Sequence, residues 1–212
     1  MKVLCIDTSK KEAMIALLLD DKDCIVKMPD TMKHSESLMN YIEKVLTDNN
    51  VDVDDLDAIA SVVGPGSFTG IRVGMSVVKA MTYATKKDII ASNVFEIVSH
   101  KVKTGYFILN STMSTIYYGK LKNGKLIDTG YIKKEDFSSI VDDSKVYAIL
   151  NEQSLVERAY KDIEYIDNVD MLTIENVRKK YETKSFTKDK DFTPLYIQLS
   201  QAEENLKVKN EK

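Results

Sequence analysis

The 212-residue chain contains no tryptophan, three prolines, two cysteines and two histidines. Each scarcity removes a class of explanation. Cys5 and Cys24 both fall in apolar, strand-like runs. Two such residues build no disulfide scaffold and read as free, buried thiols in a reducing compartment. His34 and His100 are too far apart to form the His-x-x-x-His pair of a metalloprotease helix, so a metal centre of that kind is excluded. No apolar run approaches the roughly 18 residues of a membrane span, and no signal-peptide pattern opens the chain, so a cytosolic protein without membrane contact is expected. Nor is there an excess of basic charge: 30 Lys and Arg stand against 33 Asp and Glu, a net charge of -3. A domain that grips nucleic acid by itself shows a basic face. If RNA is involved, a partner is expected to hold most of it.

Glycine is also scarce, and unevenly placed. Of eight glycines, four lie in the run Gly64-Pro65-Gly66-Ser67-Phe68-Thr69-Gly70-Ile71-Arg72-Val73-Gly74, and none follows Gly130. Glycine is used where φ is positive or where another group comes very close. The run joins a strand-like stretch, Ala58 to Val63, to a helical pattern. A turn feeding a helix N-terminus also suits anions. It is no Walker loop, because no Gly-Lys-Ser/Thr triplet follows. Two readings stay open: a turn that lets the helix pack close to a sheet, with Gly64, Pro65, Gly66, Ser67 and Thr69 as its structural loop, or a phosphate or partner contact.

Hydrophobic residues make up 43% of the chain, enough to fill a core. Short apolar runs at Lys2–Asp7, Ala13–Leu19 and Cys24–Met28 predict an antiparallel meander. Helical spacing follows over Ser35–Leu46, then a strand at Ala58–Val63, a helix at Ile71–Thr85, a strand at Ile89–Ser92 and a helix at Val94–Val102. The order is β-β-β-α-β-α-β-α. It repeats more weakly: strands at Tyr106–Leu109, Thr115–Leu121 and Lys125–Ile132, a helix at Glu135–Val141, a strand at Val146–Leu150, a helix at Gln153–Tyr160, a strand at Glu164–Ile166 and a helix at Val169–Tyr181. Two similar α/β lobes are expected, residues 1–104 and 105–212, the second ending in a charged tail from Ala202.

Several motifs together resemble one family. They are Ile6-Asp7-Thr8-Ser9, His34-Ser35-Glu36-Ser37-Leu38, the glycine run through Val73-Gly74, and Pro194-Leu195-Tyr196 followed by Ala202-Glu203. The chain resembles the TsaB family, also called YeaZ, over nearly its whole length, and the glycine run is the most specific part. The resemblance implies the two-lobed α/β fold of the actin, Hsp70 and sugar-kinase superfamily, each lobe a mixed sheet flanked by helices. It also implies a non-catalytic role in forming N6-threonylcarbamoyladenosine beside the anticodon of tRNA. The implied partners are the catalytic paralogue TsaD and the ATPase TsaE, with tRNA reached only through the complex.

The superfamily uses a carboxylate for a metal–nucleotide complex. Asp7 and Thr8 are the candidate nucleotide contacts here, Asp7 alternatively capping a turn. The matching second-lobe hairpin, Asn110-Ser111-Thr112-Met113-Ser114, has neither acid nor glycine, where the family often has an Asp-Ala-Arg-like run. Gln198 stands where a basic residue is common. No tightly bound cofactor is therefore expected, and ATP or ADP only at the interface with the partner. The expected interface comprises His34, Ser35, Leu38, Met39 and Ile42 on the first helix, with Gly70, Ile71, Gly74, Met75 and Val78 on the second. His34 alternatively caps its helix. Through these helices the isolated chain is expected to form a homodimer. Arg72, a cation in the first turn of a helix, is unfavourable against the dipole and implies an ion pair or ligand contact, or a solvated side chain. The competing functional reading is a small ATP-dependent kinase or hydrolase of the same superfamily.

Overall fold

The computed structural model describes residues 1–29 and 34–198, with the backbone alone at 34 and 35. The first three apolar runs form β1 (Val3–Asp7), β2 (Ala13–Leu18) and β3 (Asp23–Met28), paired antiparallel, with Val3 opposite Leu18 and Asp7 opposite Met14. β4 (Ala58–Val62) and β5 (Asp88–Ser92) extend the sheet in parallel, giving the order β3-β2-β1-β4-β5. β1, β2 and β4 are buried throughout and correspondingly apolar, because the sheet is covered on both faces. On one face Leu4, Ile6, Ile15, Leu17 and Ile59 meet α1 (His34–Thr47) and α2 (Phe68–Thr85). On the other, Val3, Cys5, Met14, Ala16 and Ile90 meet Ile174 and Val177 of α5 (Val169–Glu182).

The second sheet repeats this topology. β6 (Gly105–Asn110), β7 (Thr115–Lys122), β8 (Lys125–Lys133), β9 (Val146–Ile149) and β10 (Ile163–Ile166) take the order β10-β9-β6-β7-β8. Read in the opposite direction, this is the first sheet's order with β6 in the place of β1. α3 (Val94–Val98) packs on one face, with Phe95 edge-on to Phe107. Tyr106, Ile108 and Phe137 share the other face with Val156 of α4 (Gln153–Val156). Among the described residues no helix is long and apolar enough to cross a membrane.

Several sequence expectations need correction. α2 begins at Phe68 rather than Ile71, because the Ser67 hydroxyl accepts the Gly70 N–H and caps the helix three residues earlier. The helix expected at Glu135–Val141 is a single 3-10 turn, Phe137–Ser139, closed by the Ile140 N–H on the Phe137 carbonyl. The helix expected to run to Tyr160 stops at Val156, and Ala159 N–H closes a three-residue turn on the Val156 carbonyl. Residue 104 separates the two sheets, but the chain beyond it is not confined to the second lobe. α5 covers the first sheet and Phe192 is fully buried in the first core. The tail from Ala202 and the motif Ala202-Glu203 lie outside the described residues. Cys5 and Cys24 are both free, but only Cys5 is fully buried; burial, then Asp7, pushes its thiol pKa up.

Candidate functional site

The ends of β1, β6, β9 and β10 and the loop after β4 line a cleft of about 660 Å³ between the sheets. In α/β sheets this is where ligands bind, outside the carboxyl ends of the strands. The walls are apolar, with Val94, Ile97, Leu109, Ile149 and Ile166. The charged lining mixes Lys10, Lys11 and Lys27 with Asp7, Glu12, Glu152, Asp167 and Asp170.

Asp7 ends β1 and is 1% exposed. The Ser9 N–H donates to its Oδ1 at 2.9 Å and the Ser9 hydroxyl to the same oxygen at 2.6 Å. Lys10 Nζ lies 3.2 Å from Asp7 Oδ2 and 3.0 Å from Asp170 Oδ1, and Lys27 Nζ lies 2.7 Å from Asp170 Oδ2. Burial opposes the charge on Lys10, but the two carboxylates outweigh it and hold the ammonium above the usual lysine range. Burial likewise raises Asp170, yet Lys10 and Lys27 outweigh that and hold its carboxyl below the usual range.

The second lobe has its own closure. Asn110, ending β6, gives its N–H to Glu152 Oε2 at 2.8 Å and accepts from buried Lys134 Nζ at 2.9 Å. Lys134 also donates to the Leu155 carbonyl at 2.6 Å. Burial, then Arg158, pushes the Lys134 pKa down, while burial pushes Glu152 up. A metal–nucleotide complex of the kind implied by the superfamily needs an open carboxylate edge and close backbone approach at these hairpins. The residues present do not fit it: the open edge of Asp7 carries Lys10, and the Asn110 side-chain oxygen carries Lys134. Thr8 does not line the cleft either; its buried hydroxyl has no hydrogen-bond partner among the described residues and lies against Gly74.

The glycine loop grips this same hairpin. Ser67 N–H donates to the Ser9 carbonyl at 2.7 Å, and a Cβ on Gly66 would stand 2.3 Å from that oxygen. A Cβ on Gly70 would stand 2.1 Å from the Thr8 carbonyl oxygen, and one on Gly74 2.2 Å from Thr8 Oγ1. Gly64 has φ +114°, and its carbonyl accepts the Val94 N–H at 2.9 Å. Pro65, Gly66 and Ser67 form a cleft wall, while Thr69 is exposed on the first turn of α2. The close approach serves the chain's own packing.

The expected interface set divides by burial. Leu38, Ile42, Ile71, Met75 and Val78 are buried in the first core, and Gly70 and Gly74 are buried against Thr8. Met39 is 53% exposed. The side chains of His34 and Ser35 lie outside the described residues. Arg72 is satisfied within the chain: its Nε donates to the Tyr196 hydroxyl at 2.6 Å, and its guanidinium lies 4.0 Å from the Phe68 ring centre. The sequence reading missed Lys10, Lys134, Glu152 and Asp170. Only Lys10 carries a local signal, a cation three residues past a buried acid.

A family model described as TsaD, tRNA N6-adenosine threonylcarbamoyltransferase, matches residues 30–125. The tRNA threonylcarbamoyladenosine biosynthesis protein TsaB of Buchnera aphidicola is 28% identical over 137 residues, covering 60% of this chain and 64% of that protein. The protein of the same name from Haemophilus influenzae is 23% identical over 134 residues, covering 59% of this chain and 56% of that protein. The chain thus spans less than two thirds of the length of these curated relatives. The solved structure of YeaZ from Pseudomonas aeruginosa superposes with a TM-score of 0.72 at 19% identity, covering 92% of this chain and 99% of that one. The doubled sheet topology accords with these matches, and the chain is similar in sequence and in fold to proteins of the TsaB (YeaZ) family.

Proposed function

We propose that this chain is an accessory subunit in the formation of N6-threonylcarbamoyladenosine in tRNA. It acts by binding a TsaD-like catalytic partner, with a TsaE-like ATPase joining the pair and tRNA held through the complex. The observation that carries this reading is the similarity to proteins named TsaB. The cleft supports a non-catalytic part, since both central strand ends are engaged by lysines of the chain itself. ATP or ADP would then bind only where the partner completes a site.

The outer layer of α1 and α2 is the surface proposed for the partner. The inner faces of both helices are used up by the first core, yet Met39 and Tyr83 remain exposed, at 53% and 79%. Val73 and Val77 are half-buried, and Ala80 and Ala84 exposed, along α2. Met39, Ile42, Leu46, Val51, Val53 and Met81 line a groove of about 330 Å³ between the helices. Methionine and aromatic residues are enriched at protein interfaces. Alone, the chain is expected to pair with itself through the same surface.

Depletion of the chain in its host should abolish N6-threonylcarbamoyladenosine in bulk tRNA, read by nucleoside mass spectrometry. Wild-type protein should restore it. Met39→Asp should weaken binding of the TsaD-like partner by about 30-fold, the effect of losing a contact worth about 2 kcal/mol, while Met113→Asp on the β6–β7 hairpin should not. Unchanged nucleoside in depleted cells would overturn the function. Full partner binding by Met39→Asp would overturn the surface.

A further inference from the structure

Two carboxylates of the cleft converge on one ammonium. Asp7 Oδ2 and Asp170 Oδ1 lie 3.2 and 3.0 Å from Lys10 Nζ, and the other Asp7 oxygen is fixed by two bonds from Ser9. The side chains are 1%, 20% and 17% exposed, so water does little to screen the arrangement. The place a small cation would take between the two acids is therefore the place of the Lys10 nitrogen. Asp170 is 160 residues away and sits on the first turn of α5, so the convergence is made by the fold and not by local sequence. The second lobe answers in kind: Asn110, at the matching end of the central strand β6, is held by Lys134.

We propose that Lys10 is a built-in counter-ion that occupies the cation position of the cleft and closes it to a divalent metal, and so to a metal-bound nucleotide. This rests on the reading of the chain as non-catalytic and names the residue that keeps the cleft silent. Removing one partner of a buried ion pair leaves charge uncompensated. Here it would leave Asp7 without its ammonium, facing Asp170, whose other oxygen still carries Lys27 at 2.7 Å. Two converging carboxylate oxygens are hard ligands suited to Mg²⁺ or Mn²⁺, which keep water in the rest of their shell. The lysine therefore masks a latent metal site.

The test is Mn²⁺ titration of the isolated full chain, followed by the paramagnetic resonance signal of free Mn²⁺ and by thermal melting. Wild-type protein should show no melting shift with Mn²⁺. Lys10→Ala should bind Mn²⁺ at least about tenfold more tightly than wild type, as expected when a fixed positive charge leaves the site, and should melt higher with the metal than without it. Adding Asp7→Asn to Lys10→Ala should abolish both effects. Lys10→Gln, a polar side chain one atom shorter and without the charge, serves if the alanine variant fails to fold. Two results would overturn the proposal: tight, Asp7-dependent Mn²⁺ binding by the wild type, or folded Lys10 variants that bind no better than wild type. Neither depends on a partner or on tRNA, so failure here is distinguishable from failure of the accessory role.

Discussion

Gly70→Ala should destabilise the chain by roughly 2 kcal/mol even though alanine is the better helix former. The propensity gain is about 1 kcal/mol. Against it, the new methyl carbon would stand 2.1 Å from the Thr8 carbonyl oxygen, a backbone atom of the hairpin that also carries Asp7 and Ser9. Moving α2 away would strain Ser67, whose N–H is bonded to the Ser9 carbonyl. Overpacking of this kind costs about 1–3 kcal/mol, and more where the obstacle is backbone. Calorimetry should show Tm falling by roughly 4–8 °C for a chain of this size. Gly74→Ala offers an internal control. Its collision is with Thr8 Oγ1, at 2.2 Å, a hydroxyl without a hydrogen-bond partner among the described residues. Thr8→Ala removes that atom at little cost. Gly74→Ala should therefore destabilise the wild type but stabilise the Thr8→Ala background, whereas Gly70→Ala should destabilise both. Equal effects of Gly74→Ala in the two backgrounds would show that the helix does not depend on this contact.

The glycine pair was legible in sequence because two glycines four apart in a helix cost stability unless something comes close. The sequence does not say what comes close. The answer is the first hairpin, far earlier in the chain, and no local pattern encodes that meeting. The strands were legible for a related reason: short apolar runs between turns leave few alternatives, and the pleat sends Leu4 and Ile6 to one core and Val3 and Cys5 to the other. Around Glu135–Val141 the apolar spacing suggested a helix, but only a 3-10 turn forms, with Phe137 buried in the second lobe's core and Glu135, Asp136, Ser138 and Ser139 away from it. At the site, Asp7 was legible as an acid at a strand end. Its partner Asp170 was not, since the ion pair through Lys10 depends on α5 crossing to the first sheet. Leu38, Ile71, Met75 and Val78 were read as interface because an apolar stripe on a helix does not reveal which side meets the chain's own sheet. Ile71, Met75 and Val78 do so, with Val73 and Val77 half-buried against the same core, which leaves Ala80, Tyr83 and Ala84 as the exposed part of α2.

A fragment ending at residue 104 should fail to fold cooperatively, although it contains a complete five-stranded sheet. One face of that sheet, including Val3, Cys5, Met14, Ala16 and Ile90, is covered by Ile174 and Val177. The opposite core holds Phe192, fully buried between the helices and the sheet. The returning segment is also tied by polar bonds. Arg178 reaches the Leu19 carbonyl at 3.2 Å and Asp23 at 2.7 Å, Thr187 N–H donates to the Ile89 carbonyl at 2.7 Å, and Leu195 N–H to the Val63 carbonyl at 2.8 Å. Burial of three such side chains is worth roughly 4–9 kcal/mol. A domain has only about 5–15 kcal/mol to lose, and the fragment also exposes the apolar face beneath them. Fragment 1–104 should show no sharp thermal transition by circular dichroism and should bind a hydrophobic dye. In the full chain, Phe192→Ala should cost about 3–5 kcal/mol, the usual loss for a large aromatic in a core. A cooperative melt of the fragment near the Tm of the intact protein would mean that the first lobe stands without α5 and that the later residues merely rest on it. The expected result means instead that the two sheets are built by a chain that must return to finish the first, and the same return brings Asp170 to Lys10.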